Sequence, residues 1–176
     1  MRDIIKQRQV VQDDWTVLRL EEGDDAATVT IPAGRAIVPL AVWQAQPAAI
    51  AAQAQRGELG VWLASDARPE VLKDVLGQFA VIAVDFPKFT DGRGYSIAYN
   101  LRARLGYTGE LRAIGDVLRD QLFYMQRVGF DAFATREDRD IHDALKGLTD
   151  FSESYQTSWD QKTPLFKRVG RPGAPA

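Results

Sequence analysis

Two cations, two carboxylates and a Gly-X-Gly fall within the twelve residues Asp85-Phe86-Pro87-Lys88-Phe89-Thr90-Asp91-Gly92-Arg93-Gly94-Tyr95-Ser96. Glycines let the backbone turn sharply where a helix begins, and the unpaired N–H groups of a helix start attract anions. Lys88, Asp91, Gly92, Arg93, Gly94, Tyr95 and Ser96 therefore form a candidate anion-binding set, with Lys88 and Arg93 supplying the charge. The same residues also suit a purely structural turn, in which Asp91 or Ser96 caps the helix and the glycines satisfy its geometry. The segment is neither a dinucleotide fingerprint nor a P-loop, because the third glycine of the one and the terminal Gly-Lys-Ser/Thr of the other are missing.

Acid–base chemistry has its candidates in Asp85, Lys88 and Asp116, with Lys88 and Asp116 as a conceivable proton-transfer pair. Asp85, Asp91 and Asp116 are the carboxylates that would suit magnesium if they met; caps and salt bridges to Arg93, Arg102 or Arg104 are the more ordinary use of such residues, and no metal site is assigned. The single histidine, His142, lies off the apolar face Ile141, Leu145 and Leu148, and without a second histidine there is no zinc motif. Tyr99, Phe123, Tyr124 and Met125 read as core or interface rather than a cofactor stripe. Trp159 and Phe166 are large apolar side chains in an aperiodic segment, which suits docking onto this chain or a partner as well as disorder.

These residues need a frame. Ile4-Ile5, Val10-Val11, Trp15 to Leu18 and Ala27 to Ile31 read as short strands and hairpins. Ile37-Val38 precedes a change of period, where Leu40, Trp43 and Ile50 suggest helix and Pro47 suits the start of a second helical segment. From residue 59 onward strands alternate with helices: strand 60–64 with helix 69–76, strand 80–84 with a helix carrying Ile97, Leu101 and Leu105, strand 111–114 with helix 117–128, and strand 130–134 with helix 138–148. Gly77, Gly106 and Gly129 stand as helix stops. The pattern predicts an α/β fold in which an N-terminal β-hairpin region, residues 1–38, is followed by about four βα units, residues 39–156. These units would form a largely parallel sheet, either open or a half-barrel, in one domain. Residues 157–176 read as a flexible tail.

Ligands of parallel α/β folds bind at the carboxyl ends of the strands. The polar residues placed there are Ser65 and Asp66; Asp85, Lys88, Thr90, Asp91 and Arg93; Asp116 and Asp120; and Thr135, Arg136 and Glu137. Both signs of charge on one edge would favour a small charged ligand.

Composition narrows the classes. With 22 basic and 24 acidic residues the net charge is -2, which offers no global field for nucleic acid or an anionic membrane. The absence of cysteine excludes disulfides, thiol catalysis and cysteine-ligated iron–sulfur or zinc centres on this chain. No leader or spanning segment is readable, so a cytoplasmic protein is expected.

The segment from Val84 to Ser96, continued by Leu101-Arg102-Ala103-Arg104-Leu105-Gly106-Tyr107, by Gly109 to Leu118, by Asp120-Gln121 and by Arg127-Val128-Gly129-Phe130-Asp131, resembles a bacterial family of unknown function. That family is often labelled an oxidoreductase, and its genes commonly lie beside those for assimilatory sulfite reductase and phosphoadenylylsulfate reductase. The likeness runs from the N-terminal hairpin to about Gln156. It implies a place in sulfate or sulfite assimilation, with sulfite reductase or another enzyme of that route as partner. No mechanism comes with it, no redox-cofactor motif is readable and the cofactor is unknown. The expected function is an auxiliary protein that binds the reductase or a small anion. The alternatives are a cofactor-independent or metal-assisted enzyme acting on a small anionic substrate, and a structural dimer or other homo-oligomer.

Overall fold

A computed structural model describes residues 2–168 of the chain. It opens with a hairpin of β1 (Arg2–Lys6) and β2 (Gln9–Asp13), in which Ile4 pairs with Val11 and Ile5 with Val10. The two-residue loop between them, Gln7-Arg8, holds φ of 50° and 63°, the left-handed geometry that matches the twist of a tight hairpin. Then follow β3 (Thr16–Val17), β4 (Ala36–Pro39), β5 (Leu59–Leu63), β6 (Val81–Phe86), β7 (Glu110–Gly115) and β8 (Ala132–Phe133). Helices α1 (Leu40–Ala45) and α2 (Pro47–Gln55) join β4 to β5, α3 (Arg93–Tyr99) joins β6 to β7, α4 (Leu122–Val128) joins β7 to β8, and α5 (Ile141–Lys146) follows β8.

All eight strands form one sheet, in the order β2-β1-β8-β7-β6-β5-β4-β3. Neighbours from β3 to β8 are parallel, and β1 joins β8 antiparallel. Period-two alternation divides the side chains between two faces. Val38, Ile82, Val84, Leu111 and Ala113 pack with the helix residues Val42, Leu101, Leu122 and Met125. Ile4, Ile37, Val81, Ala83, Ile114 and Ala134 form a second cluster with Trp15 and Trp62, to which no helix contributes.

The position of the two edge strands requires curvature. Strands β2 and β3 stand at opposite edges, seven positions apart, which in a flat sheet would be roughly 34 Å, yet a link of two residues joins them. The sheet is a curled half-barrel, open because no hydrogen-bonded ladder joins β2 to β3. Its two edge strands are nevertheless consecutive in the chain, separated by Asp14 and Trp15 alone, so their facing ends lie at most about 11 Å apart. Across the interior Arg112 of β7, 1% exposed, reaches Asp13 of β2 at 2.7 Å and Glu110 at 2.7 Å, and Lys6 closes on Glu110 at 2.7 Å.

Several expected elements change. Residues 27–31 are not a strand but turn and irregular chain, laid against α2 by Gln46, whose amide donates to the carbonyls of Ala26 and Val29 at 2.8 and 3.0 Å. The 15–18 segment is a strand, yet a parallel edge strand rather than half of a hairpin. The helix expected over 69–76 is two 3-10 turns, Pro69–Leu72 and Leu76–Gln78. Its Val71 is 48% exposed instead of inward. The helix expected from 117 starts as a 3-10 turn at Arg119–Gln121 and becomes α-helical at Leu122. The last expected helix is shorter, because Asp140 caps α5 by accepting the His142 N–H at 2.8 Å. After α3 a π turn, Asn100–Arg104, widens the helix and carries Arg102 inward. There Arg102 donates to the carbonyls of Tyr107, Gly109 and Gly129 at 2.8 to 2.9 Å.

Beyond Thr157 the chain lies along α4. Arg127 bonds the Gln156 carbonyl and meets Asp160 at 3.4 Å, while Lys162 sits over the Trp159 ring at 4.9 Å. Phe166 is 61% exposed. Positions 169–176 of the expected tail lie outside the described residues.

Candidate functional site at the carboxyl edge of the sheet

The candidate residues reach one edge of the sheet because strand ends put them there, but most are matched to partners within the fold. Asp85, next to last in β6, accepts from Arg19 at 2.7 Å, and the Arg19 guanidinium also lies 5.0 Å from the centre of the Trp62 ring. Asp116, just past β7, accepts the Phe89 N–H at 2.9 Å and a guanidinium N–H of Arg136 at 3.1 Å. It therefore ties the loops after β6, β7 and β8 together. Gln121 adds a second tie, donating to the Phe89 carbonyl at 2.8 Å. Gly115, with φ of 93°, passes so close to the Phe86 carbonyl and the Asp85 carboxylate that no side chain fits.

The 85–96 loop is organised around Asp91. Its carboxylate accepts the Arg93 backbone N–H at 3.1 Å and both arms of the Arg93 guanidinium at 3.0 and 2.7 Å, and Arg93 donates onward to Ser65 Oγ at 2.8 Å. Hydrogen bonds from Arg93 and Ser65 hold the Asp91 carboxyl well below the usual carboxylate range. The place an external anion would take at the start of α3 is occupied by the chain's own carboxylate. Of the two glycines, Gly94 is needed by packing, since a Cβ there would stand 2.6 Å from the Phe86 ring, whereas Gly92 meets nothing within 4 Å. Lys88 and Ser96 are exposed, and Lys88 has no ion-pair partner among the described residues. Tyr95 is half-buried, and burial, with the nearby Asp120 charge second, pushes its phenol up.

Asp85, Asp91 and Asp116 are thus distributed among three arginines, Arg19, Arg93 and Arg136. Among the described residues no group of three or more carboxylates and histidines could hold a metal ion. Lys88 and Asp116 make no contact as an acid–base pair; the acceptors of Asp116 are taken by Phe89 and Arg136.

The largest cavity at this edge, about 690 Å³, opens above the carboxyl ends of β7 and β8. Val117, Leu118 and Ala144 give it apolar surface, and Arg119, Asp120, Asp138, Arg139, Asp143 and Lys146 give it charge. A second cavity of about 340 Å³, lined by Arg2, Arg136 and Arg139 among others, shares Thr135 and Arg139 with the first. Thr135 is only 4% exposed as a residue, yet its hydroxyl, which makes no hydrogen bond among the described residues, is open to solvent. Asp120, Thr135 and Arg136 were legible as strand-end residues; Arg119, Asp138, Arg139, Asp143 and Lys146 were not. The available signal was the run Arg136-Glu137-Asp138-Arg139-Asp140 directly after a strand.

His142 is exposed and serves through its backbone N–H alone. Phe123 packs against a tilted Phe151 ring at 4.9 Å and meets Tyr124 edge to face at 5.7 Å, while Tyr124 and Tyr99 remain exposed.

The chain is a mixed α/β half-barrel, a curled and mostly parallel sheet with polar loops gathered at its carboxyl edge. The chain matches the family described as Bacterial protein of unknown function (DUF934) over residues 60–166, and it belongs to that family. No curated protein and no solved structure matches it. Among the described residues no helix is long and apolar enough to cross a membrane.

Proposed function

We propose that this protein is an accessory factor of sulfate and sulfite assimilation that holds a small anionic ligand and presents it to, or docks on, a reductase of that route. One observation carries the binding half of the reading. A cavity of about 690 Å³ lies where parallel sheets receive ligands, with Arg139, Lys146 and the unmatched Thr135 hydroxyl on its lining. The placing in sulfur assimilation rests on the resemblance drawn from residues 84 to 131.

The anion site moves from the 85–96 loop to the β7–β8 loops on electrostatic grounds. Arg93 is neutralised by a bidentate carboxylate, whereas Arg139 has only a 3.8 Å approach to Asp138 among the described residues. Lys88 and Phe89, exposed side by side at the tip of the β6 loop, favour that loop as the surface offered to a protein partner.

Calorimetric titration with sulfite, sulfate and phosphate tests the reading, beside Arg139→Ala and Arg93→Ala variants whose folds are checked by circular dichroism. Saturable binding lost in Arg139→Ala and kept in Arg93→Ala supports the cavity. Loss in Arg93→Ala alone returns the site to the 85–96 loop. Absence of binding to the wild type removes the ligand half and leaves reductase capture, weakened by Lys88→Ala and Phe89→Ala, as the remaining test.

A further inference from the structure

Setting aside the charges already matched within the fold leaves the cavity over β7 and β8 dipolar. Arg119 is held by Asp143 and Asp150, each at 3.1 Å. Asp138 takes two hydrogen bonds from Arg136, at 2.9 and 2.7 Å. Asp140 spends one oxygen on the cap of α5. Asp143, already engaged by Arg119, is also approached by Lys146 at 3.4 Å.

What remains is distributed between the two loops. Asp120, contributed by the loop after β7, has no hydrogen bond or ion pair among the described residues. Arg139, contributed by the loop after β8, is 64% exposed and approaches an Asp138 that Arg136 has already claimed. Thr135 lies just past β8 and lines both cavities, with a hydroxyl that makes no hydrogen bond among the described residues and is open to solvent.

The lining as a whole carries four carboxylates, Asp120, Asp138, Asp140 and Asp143, to three cations, Arg119, Arg139 and Lys146. A bare dianion entering here would gain Arg139 but face uncompensated negative charge from Asp120. A ligand that brings its own cation would satisfy both.

We infer that this cavity takes a small zwitterion, with a carboxylate or sulfonate on Arg139 and the Thr135 hydroxyl and an ammonium on Asp120. The inference rests on the reading of this cavity as the ligand site, and it narrows the ligand from an anion to an anion carried with an amine. Planar guanidinium suits either acid group through paired N–H donors. The ligand class is set by the pair Asp120 and Arg139, which neither residue would define by itself.

The test is calorimetric titration of the full chain with taurine, glycine and L-alanine, beside sulfate and ethylammonium as single-charge probes. Wild-type, Asp120→Asn, Arg139→Ala and Thr135→Val proteins are compared, each checked by circular dichroism. At least one zwitterion binds saturably and at least about tenfold more tightly than either single-charge probe, a factor worth one decade of dissociation constant. Asp120→Asn loses about that factor for the zwitterion and does not weaken sulfate; Arg139→Ala loses both. If sulfate binds as tightly as the zwitterions and Asp120→Asn changes nothing, the zwitterion inference falls while the anion site stands. If no probe binds the folded wild type, or if Arg139→Ala binds as the wild type does, both fall.

Discussion

At the scale of single residues, the 85–96 loop shows how a sequence signal for ligand binding can be consumed by the fold. Asp91, Arg93 and Ser65 form a closed set of hydrogen bonds at the start of α3, so the loop is rigidified by the charges that suggested an anion site. The depressed Asp91 carboxyl gives this a titration signature. Because the folded value lies below the unfolded one, the contribution is fully present above the ordinary carboxylate range and is lost as pH falls toward the folded value. Carboxyl carbon NMR should find Asp91 ionised well below the usual range in the wild type; in Arg93→Ala its midpoint should rise toward about 4. The two glycines part company in the same way. Gly94→Ala should cost about 1–3 kcal/mol in chemical denaturation, because its Cβ would enter the Phe86 ring. Gly92→Ala, with φ of -81° and open space, should change stability by less than about 0.5 kcal/mol. Equal effects at the two positions would contradict the packing argument.

At the scale of elements, chain reversals are set by short local devices. Gly129 ends α4 with φ of 116° and lies against the Arg102 stem, so it serves both backbone geometry and close packing. Asp140 starts α5 with a side-chain cap, and Asp140→Ala should cost about 1 kcal/mol. Since Asp140 also lines the large cavity, that variant reports stability and binding together; a binding change without a stability change would reassign its role. The strands of the parallel ladder and the α3, α4 and α5 regions were legible from apolar runs and helical spacing. The 69–76 and 117–121 segments were not. Val71, Leu72, Val75 and Leu76 mimic a helical face, but only Leu72 is fully buried, and two short 3-10 turns suffice to bury it. Short connections of this kind are governed by the distance the strands impose rather than by side-chain period.

At the scale of the whole molecule, the half-barrel depends on a salt-bridge network that crosses its interior. Arg112 is 1% exposed, and Asp13 and Glu110 are each 8% exposed, so removing the guanidinium leaves the buried Asp13 carboxylate without a cation and Glu110 with Lys6 alone. Arg112→Ala should cost about 3–5 kcal/mol. Restoring neutrality by adding Asp13→Asn and Glu110→Gln should recover part of that loss, measured by thermal and urea unfolding. If the single variant lost less than about 1 kcal/mol, the network would be a passenger of the curl rather than part of what holds it.

Apart from the strand expected at 27–31 and the helix expected at 69–76, the succession of strands and helices along the chain follows from the sequence alone, because apolar periodicity acts over a few neighbouring residues and glycine stops act locally. The half-barrel was already one of two forms that pattern allowed, and curvature decided between them. The partnerships of charged side chains did not follow. Arg19 with Asp85, Arg136 with Asp116, and Arg112 with Asp13 join positions 66, 20 and 99 residues apart. Only the tertiary arrangement of the strands, their adjacency for Arg136 and Asp116 and the curl for Arg112 and Asp13, brings such pairs together. It also determines which charges are left over: Lys88 and Arg93 look alike as cations in the sequence, yet one is neutralised and one is free among the described residues. Asp120, Thr135 and Arg139, from two loops that follow different strands, become a single site because β7 and β8 are neighbours in register. Local physical chemistry is written in the order of residues, whereas unmatched charge is a property of the folded surface, known only after every long-range pair has formed.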